Sequence, residues 1–172
     1  MIAVIRKIRE GLLPVLLLAG SGLLIGCAAS DKAENKPDAL LARQVIQSAH
    51  CGLTGPGLAY VQTSERLQQL LELPAQNMAV QQLRQVDLEK EHLLFVTLGQ
   101  KPTGGYSVSL ASAKMERGDN MLQLSMVVRA PAPGTMVTQV ITSPCAVVAI
   151  PAVGWSEIRV SGVRDADLLV KF

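Results

Sequence analysis

The chain has 172 residues, of which 49% are hydrophobic but only 3% aromatic, and its formal net charge at pH 7 is +2. A nearly neutral chain with so few aromatic residues lacks the basic, aromatic surface of a nucleic-acid-binding protein, so we expect no nucleic-acid partner. The length suits one domain once an N-terminal segment is set aside.

Residues 1–26 have the pattern of a secretory signal peptide. Arg6, Lys7 and Arg9 precede an almost uncharged apolar run over residues 11–26. The run is shorter than the roughly 20 residues of a membrane-spanning helix, which favours removal after export over a retained single-pass anchor. Most of the excess positive charge lies in this segment, so the mature chain would be close to neutral.

The end of the apolar run, Leu24-Ile25-Gly26-Cys27, resembles the lipobox of bacterial lipoproteins. In such signals the Cys thiol receives a diacylglyceryl group and becomes the first residue after cleavage. We therefore predict lipidation of Cys27 with fatty acyl chains such as palmitate, whose buried methylenes each contribute about 0.8 kcal/mol to membrane binding. Ala28 follows the cysteine, and resemblance to known sorting rules then implies the outer membrane, with the domain facing the periplasm.

Residues 27–45 begin with small, polar and charged residues and predict a flexible tether, while residues 46–172 form the predicted domain. An oxidising envelope compartment favours a disulfide between Cys51 and Cys145, and two separate buried thiols are the alternative. The bond would close a loop of about 95 residues and contribute roughly 4 kcal/mol. His50 is beside Cys51 but His92 is remote from both, so we expect no metal site.

Apolar periodicity predicts the secondary structure. The predicted elements, in chain order, are a strand at 58–61, a helix at 64–71 capped by Ser64, a helical turn at 78–83, and strands at 93–98, 106–110, 121–128, 137–141, 145–150, 158–160 and 168–170. The strand at 137–141 is predicted to lie at a sheet edge. Because the strands follow one another through short loops and the helices come early, we predict an α+β fold, mainly an antiparallel β-sheet or small β-sandwich with one or two short N-terminal helices.

Three motifs occur in order along the predicted strands: GQKPTGGYSV at 99–108, APAPGTMVTQ at 130–139 and SPCAVVAIP at 143–151. Over about residues 93–151 they resemble the C-terminal domain of the PrcB-like family, the protease complex subunit proteins. The resemblance implies an envelope lipoprotein that binds partner subunits in the company of a subtilisin-like surface protease. It also implies a binding or assembly role without catalysis.

The loop between the strands at 93–98 and 106–110 is the predicted partner-binding tip. Its residues are Lys101, Pro102, Thr103, Gly104, Gly105 and Tyr106. Proline fixes its own φ, the glycines permit positive φ and exposed amides, and the tyrosine offers a ring face and a hydroxyl. The loop also resembles the NPTTGY-type loop of chagasin-like cysteine-protease inhibitors, without the Asn before Pro. The alternative is a structural hairpin with the tyrosine packed on the sheet.

The sequence contains neither G-x-S-x-G nor H-E-x-x-H, and the loop at 52–57 lacks the Lys and the helix start of a phosphate cradle. Adjacent side chains such as those of His50 and Cys51 point apart in an extended segment, which makes them a poor nucleophile pair. We therefore expect no enzymatic activity and no cofactor. The predicted function is a non-catalytic protein–protein interaction module that assembles or stabilises a protease complex. The alternatives are a protease inhibitor that uses the 101–106 loop and a structural envelope lipoprotein without a dedicated client.

Overall fold

The computed structural model describes residues 41–116 and 120–172. The predicted signal peptide, the lipidation site Cys27 and residues 27–40 of the predicted tether lie outside the described residues. The described elements are β1 (Arg43–Ser48), β2 (Pro56–Val61), α1 (Ser64–Leu71), α2 (Val80–Arg84), β3 (Glu91–Leu98), β4 (Ser107–Glu116), β5 (Met121–Arg129), β6 (Cys145–Pro151), β7 (Glu157–Ser161) and β8 (Leu168–Lys171). None of the helices in these ranges has the length and apolar character needed to cross a membrane.

The strands form two four-stranded sheets. The first sheet has the order β1-β6-β3-β2 and is antiparallel throughout. The second has the order β4-β5-β7-β8 and is antiparallel except for the parallel pair β5–β7. Together with the two short helices before β3, this arrangement confirms the predicted α+β fold.

The first sheet is covered on both faces. Phe95 and Val147 belong to a core cluster that includes the buried leucines of α1, whereas Leu94 and Val148 pack with residues of the second sheet such as Leu122. Alternate residues of β3 and β6 therefore enter two different cores. This explains why these two strands are apolar almost without interruption, since a strand buried on both faces has no solvent side for polar residues.

The N-cap of helix α1 is Thr63, one residue earlier than predicted. Thr63 has the extended backbone of an N-cap residue, and its hydroxyl oxygen accepts a hydrogen bond from the amide of Arg66 at 3.3 Å. The prediction that Ser64 caps the helix was therefore wrong, because Ser64 is already the first helical residue.

The predicted edge strand at 137–141 is absent from the described sheets, and β1 was not predicted. The two neighbours of β6 are β1 and β3, so β6 has no free edge with which residues 137–141 could pair. Strand β1 begins at Arg43, so that the last three residues of the segment assigned to the tether lie in the first sheet.

Four connections gather at one end of the two sheets. They are residues 49–55, 99–106, 130–144 and 162–167, which follow β1, β3, β5 and β7 respectively. We call these four segments the loop end. Their proximity is shown by a cavity lined jointly by the start of β2, the end of β3, the end of β5 and the start of β8.

Candidate functional site at the loop end

The β3–β4 loop, residues 99–106, is held by the β5–β6 connection. The amide of Lys101 donates to the carbonyl of Thr142 at 2.8 Å, and the amide of Thr142 donates back to Lys101 at 3.0 Å. The Thr142 hydroxyl donates to the carbonyl of Thr103 at 2.9 Å, and the amide of Gly104 donates to the carbonyl of Thr138 at 2.9 Å. The two segments are thus joined at both ends of the loop tip, and we call them the braced loops.

The two adjacent glycines allow this close approach. Gly104 is buried, and a Cβ atom there would overlap the hydroxyl oxygen of Thr138. Gly105 has φ +87°, and a Cβ atom there would lie 3.1 Å from Pro131 Cβ and 3.2 Å from Val137 Cγ1. The Gly104 amide is therefore bonded within the domain, and the prediction that it is exposed for a partner was wrong.

Several apolar side chains of the braced loops face solvent. Met136 is 98% exposed, Ile141 68% and Val140 51%, and Pro102 is also exposed. Exposed apolar side chains are commonplace one at a time. Their occurrence on two hydrogen-bonded segments makes the braced loops a candidate contact surface. The residues 137–141 that were predicted as a strand form part of this surface.

The other side of the β3–β4 loop borders the cavity. Lys101 and Tyr106 both line it, and the ammonium nitrogen of Lys101 lies 5.6 Å from the centroid of the Tyr106 ring, within the range of a cation–π contact. The cavity has a volume of about 310 Å³. The six residues predicted as a binding tip are thus divided between the exposed surface, the bracing contacts and the cavity.

A disulfide fixes a third segment of the loop end. Cys51 and Cys145 are buried and bonded to each other, which confirms the predicted disulfide. Their Cα atoms are 6.1 Å apart. The amide of Cys51 also donates to the carbonyl of Ser143, and the amide of Gly52 donates to the Ser143 hydroxyl, both at 3.1 Å. The bond leaves Cys51 no free thiol and anchors residues 49–55 at the start of β6.

Sequence reasoning missed an aromatic cluster at the opposite end of the first sheet. Tyr60 packs edge to face against His92, Trp155 and Phe172. The Tyr60 hydroxyl is hydrogen-bonded to His92 Nδ1, and the Trp155 indole N–H donates to the carbonyl of Pro151 at 2.7 Å. Burial lowers the pKa of His92 and raises that of Tyr60. The four rings come from separate parts of the chain, so no local pattern could have indicated the cluster.

Within residues 41–116 and 120–172, no group of three His, Cys, Asp or Glu side chains could hold a metal ion.

The fold and the site together define a small α+β sandwich domain that contains one internal disulfide and carries the braced loops on its surface. The family model described as PrcB C-terminal matches residues 93–151 of the chain, which confirms the resemblance predicted from the sequence. The matched segment runs from β3 to the end of β6 and contains both braced loops. Comparisons with curated proteins and with solved structures gave no match.

Proposed function

We propose that this chain is a lipid-anchored envelope protein that serves as a non-catalytic, partner-binding subunit of a protease complex. The observation that carries the proposal is the exposed apolar surface of the braced loops, which lies within the segment matched by the PrcB C-terminal family model.

The bracing suits this surface to binding. Loops that must be ordered on association lose conformational entropy, which subtracts from the affinity. Here the hydrogen bonds between residues 101–104 and 138–142 already order the backbone before any partner arrives. The exposed side chains of Met136 and Ile141 can then contact a partner with little further ordering of the chain.

The anchor is Cys27, with the acyl chains in the outer membrane and the domain on the periplasmic side. The first described strand begins at Arg43, so the intervening tether could extend to roughly 50 Å. Such a reach lets a membrane-bound subunit meet a partner at some distance from the bilayer. The disulfide between Cys51 and Cys145 supports an oxidising compartment, because such bonds persist outside the reducing cytosol.

The non-catalytic role is supported by the state of the nucleophile and base candidates. Cys51, the nucleophile of the His50–Cys51 pair, is consumed in the disulfide with Cys145. A base beside it would therefore have no thiol to activate.

Affinity capture tests the binding role. The tagged, full-length chain is purified from crosslinked envelopes and its partners are identified by mass spectrometry. We expect a protease to co-purify, and the Met136→Asp/Ile141→Asp double variant to recover at least tenfold less of it, because charge is placed on the apolar surface. Val153→Asp is the matched control, since Val153 is 81% exposed but lies between β6 and β7, outside the loop end.

Equal recovery of the protease by the double variant and the control would reject the braced loops as the contact surface. Recovery of no protease at all would reject the complex. The anchor is tested separately by metabolic labelling with palmitate: we expect label and membrane association in the unaltered chain, and loss of both in Cys27→Ala.

A further inference from the structure

The cavity at the loop end opens between the two sheets. It lies where β3 and β5 end and where β2 and β8 begin, and its volume is about 310 Å³. Its apolar lining includes Pro56, Leu98, Tyr106, Val128, Val163 and Leu168. A cavity of this kind accommodates an apolar group, and its volume is at the lower end of the range of small-molecule sites, about 300–1,000 Å³. It therefore suits one short apolar group rather than a long acyl chain.

Two cations border this apolar space. The charged residues in the lining are Lys101 and Arg164, and the lining contains no carboxylate. Among the described residues neither cation takes part in an ion pair. Asp165 and Asp167 lie in the same β7–β8 connection as Arg164, but both are exposed and neither lines the cavity.

The position of Lys101 is fixed before any ligand binds. Its amide and its carbonyl are both hydrogen-bonded to Thr142, and its ammonium group lies over the Tyr106 ring. The backbone that carries this cation is therefore already ordered when an anion arrives. Arg164 adds a planar guanidinium, which binds a carboxylate through two parallel hydrogen bonds.

We propose, on the basis of the function proposed above, that this cavity receives the C-terminal residue of a polypeptide in the protease complex. The apolar side chain of that residue enters the cavity, and its terminal carboxylate lies between Lys101 and Arg164. This occupant combines one short apolar group, which matches the apolar lining, with one negative charge, which complements Lys101 and Arg164. A neutral apolar side chain would fill the lining but make no contact with the two cations.

The test uses the purified full-length, lipidated chain in detergent and a fluorescent octapeptide that ends in leucine. We expect the peptide with a free carboxylate to bind at least tenfold more tightly than the same peptide with a C-terminal amide. Lys101→Met and Arg164→Met should each weaken binding of the free acid about tenfold, because each removes one charge-assisted contact. Lys114→Met is the matched control, because Lys114 is an exposed lysine of β4 that does not line the cavity.

Folding of each variant is checked by urea unfolding before binding is compared. Equal affinity for the acid and the amide overturns the carboxylate site, and so does undiminished binding by both cation variants. Competition by hexanoate as strong as that of the unlabelled peptide assigns the site to a short-chain acid and overturns the polypeptide occupant.

The capture experiment separates the two proposals. A protease captured at the unaltered level by the Lys101→Met/Arg164→Met double variant overturns the role of the cavity in the complex and leaves the proposed function intact. Peptide binding as predicted, without any captured protease, overturns the proposed function and leaves the carboxylate site intact.

Discussion

Thr138 occupies the space that a side chain at position 104 would need. The Gly104 amide donates to the Thr138 carbonyl at 2.9 Å, and a Cβ atom added to residue 104 would overlap the Thr138 hydroxyl oxygen. The contact joins two segments that are more than thirty positions apart in the chain. It makes the β3–β4 loop and the β5–β6 connection one surface rather than two independent loops.

The Gly104→Ala substitution should destabilise the domain by about 1 kcal/mol, because the added methyl group overpacks the contact with Thr138. In the Thr138→Ala background the same substitution should cost less, since the overlapping oxygen is gone. Urea unfolding of the four proteins measures this coupling. Gly55→Ala is the control, because a Cβ atom at Gly55 meets nothing within 4 Å. Equal costs of Gly104→Ala in the two backgrounds would contradict the assigned overlap.

Reduction of the Cys51–Cys145 disulfide should lower the free energy of unfolding by about 2–5 kcal/mol, because the bond restricts the unfolded chain over a sequence separation of 94. The measurement is urea unfolding with and without a reductant. The Cys51→Ala/Cys145→Ala variant should be unaffected by the reductant. If the unaltered chain were equally insensitive, the bond would not form in solution.

Stability should rise with pH just below neutrality because of His92. Burial lowers the pKa of His92 below its ordinary value of 6.5, so the unfolded chain binds a proton in a pH window where the folded chain does not. The free energy of unfolding should therefore rise with pH through this window, and the contribution of His92 should be complete above about pH 6.5. Urea unfolding between pH 5 and 7.5 measures it. The His92→Gln variant should show a smaller rise, and an identical pH profile would reject the assignment.

The N-cap of α1 gives a prediction with a built-in control. Thr63→Ala should cost about 1 kcal/mol of stability, because it removes the acceptor of the Arg66 amide. Ser64→Ala should cost little, because Ser64 is the first residue of the helix and alanine is a better helix former. Thermal or urea unfolding of both variants decides the matter. A larger loss from Ser64→Ala would restore Ser64 as the cap.

The parts of the fold that a sequence can reveal are those with strong local patterns. The apolar runs of β3 and β6 and the alternation of β5 predicted their strands, and the leucine spacing of α1 predicted its helix. Strand β1 was not predicted, because its sequence contains no apolar run. Half of its six residues are exposed. The parallel pairing of β5 with β7 depends on tertiary packing and has no sequence signature.

The candidate site was predictable only in part. Pro102 and the two glycines marked the β3–β4 loop. The disulfide was indicated by two cysteines that follow a predicted export signal. The prediction of a strand at residues 137–141 was wrong. The segment has the apolar residues of a strand, but its hydrogen bonds go to the β3–β4 loop instead of to a neighbouring strand. Arg164 was not predicted as a site residue, because only the fold brings it to the cavity that Lys101 also lines.

The central claim is that the braced loops contact a protease complex, and site-specific photo-crosslinking in cells tests it most directly. A photoreactive amino acid is placed at position 102, 136 or 153 of the full-length chain, all three being outside the core. We predict crosslinks to a protease, or to a subunit bound to one, from positions 102 and 136 and none from position 153. The same crosslinks from position 153, or none from 102 and 136, would contradict the assignment of the loop end as the binding surface.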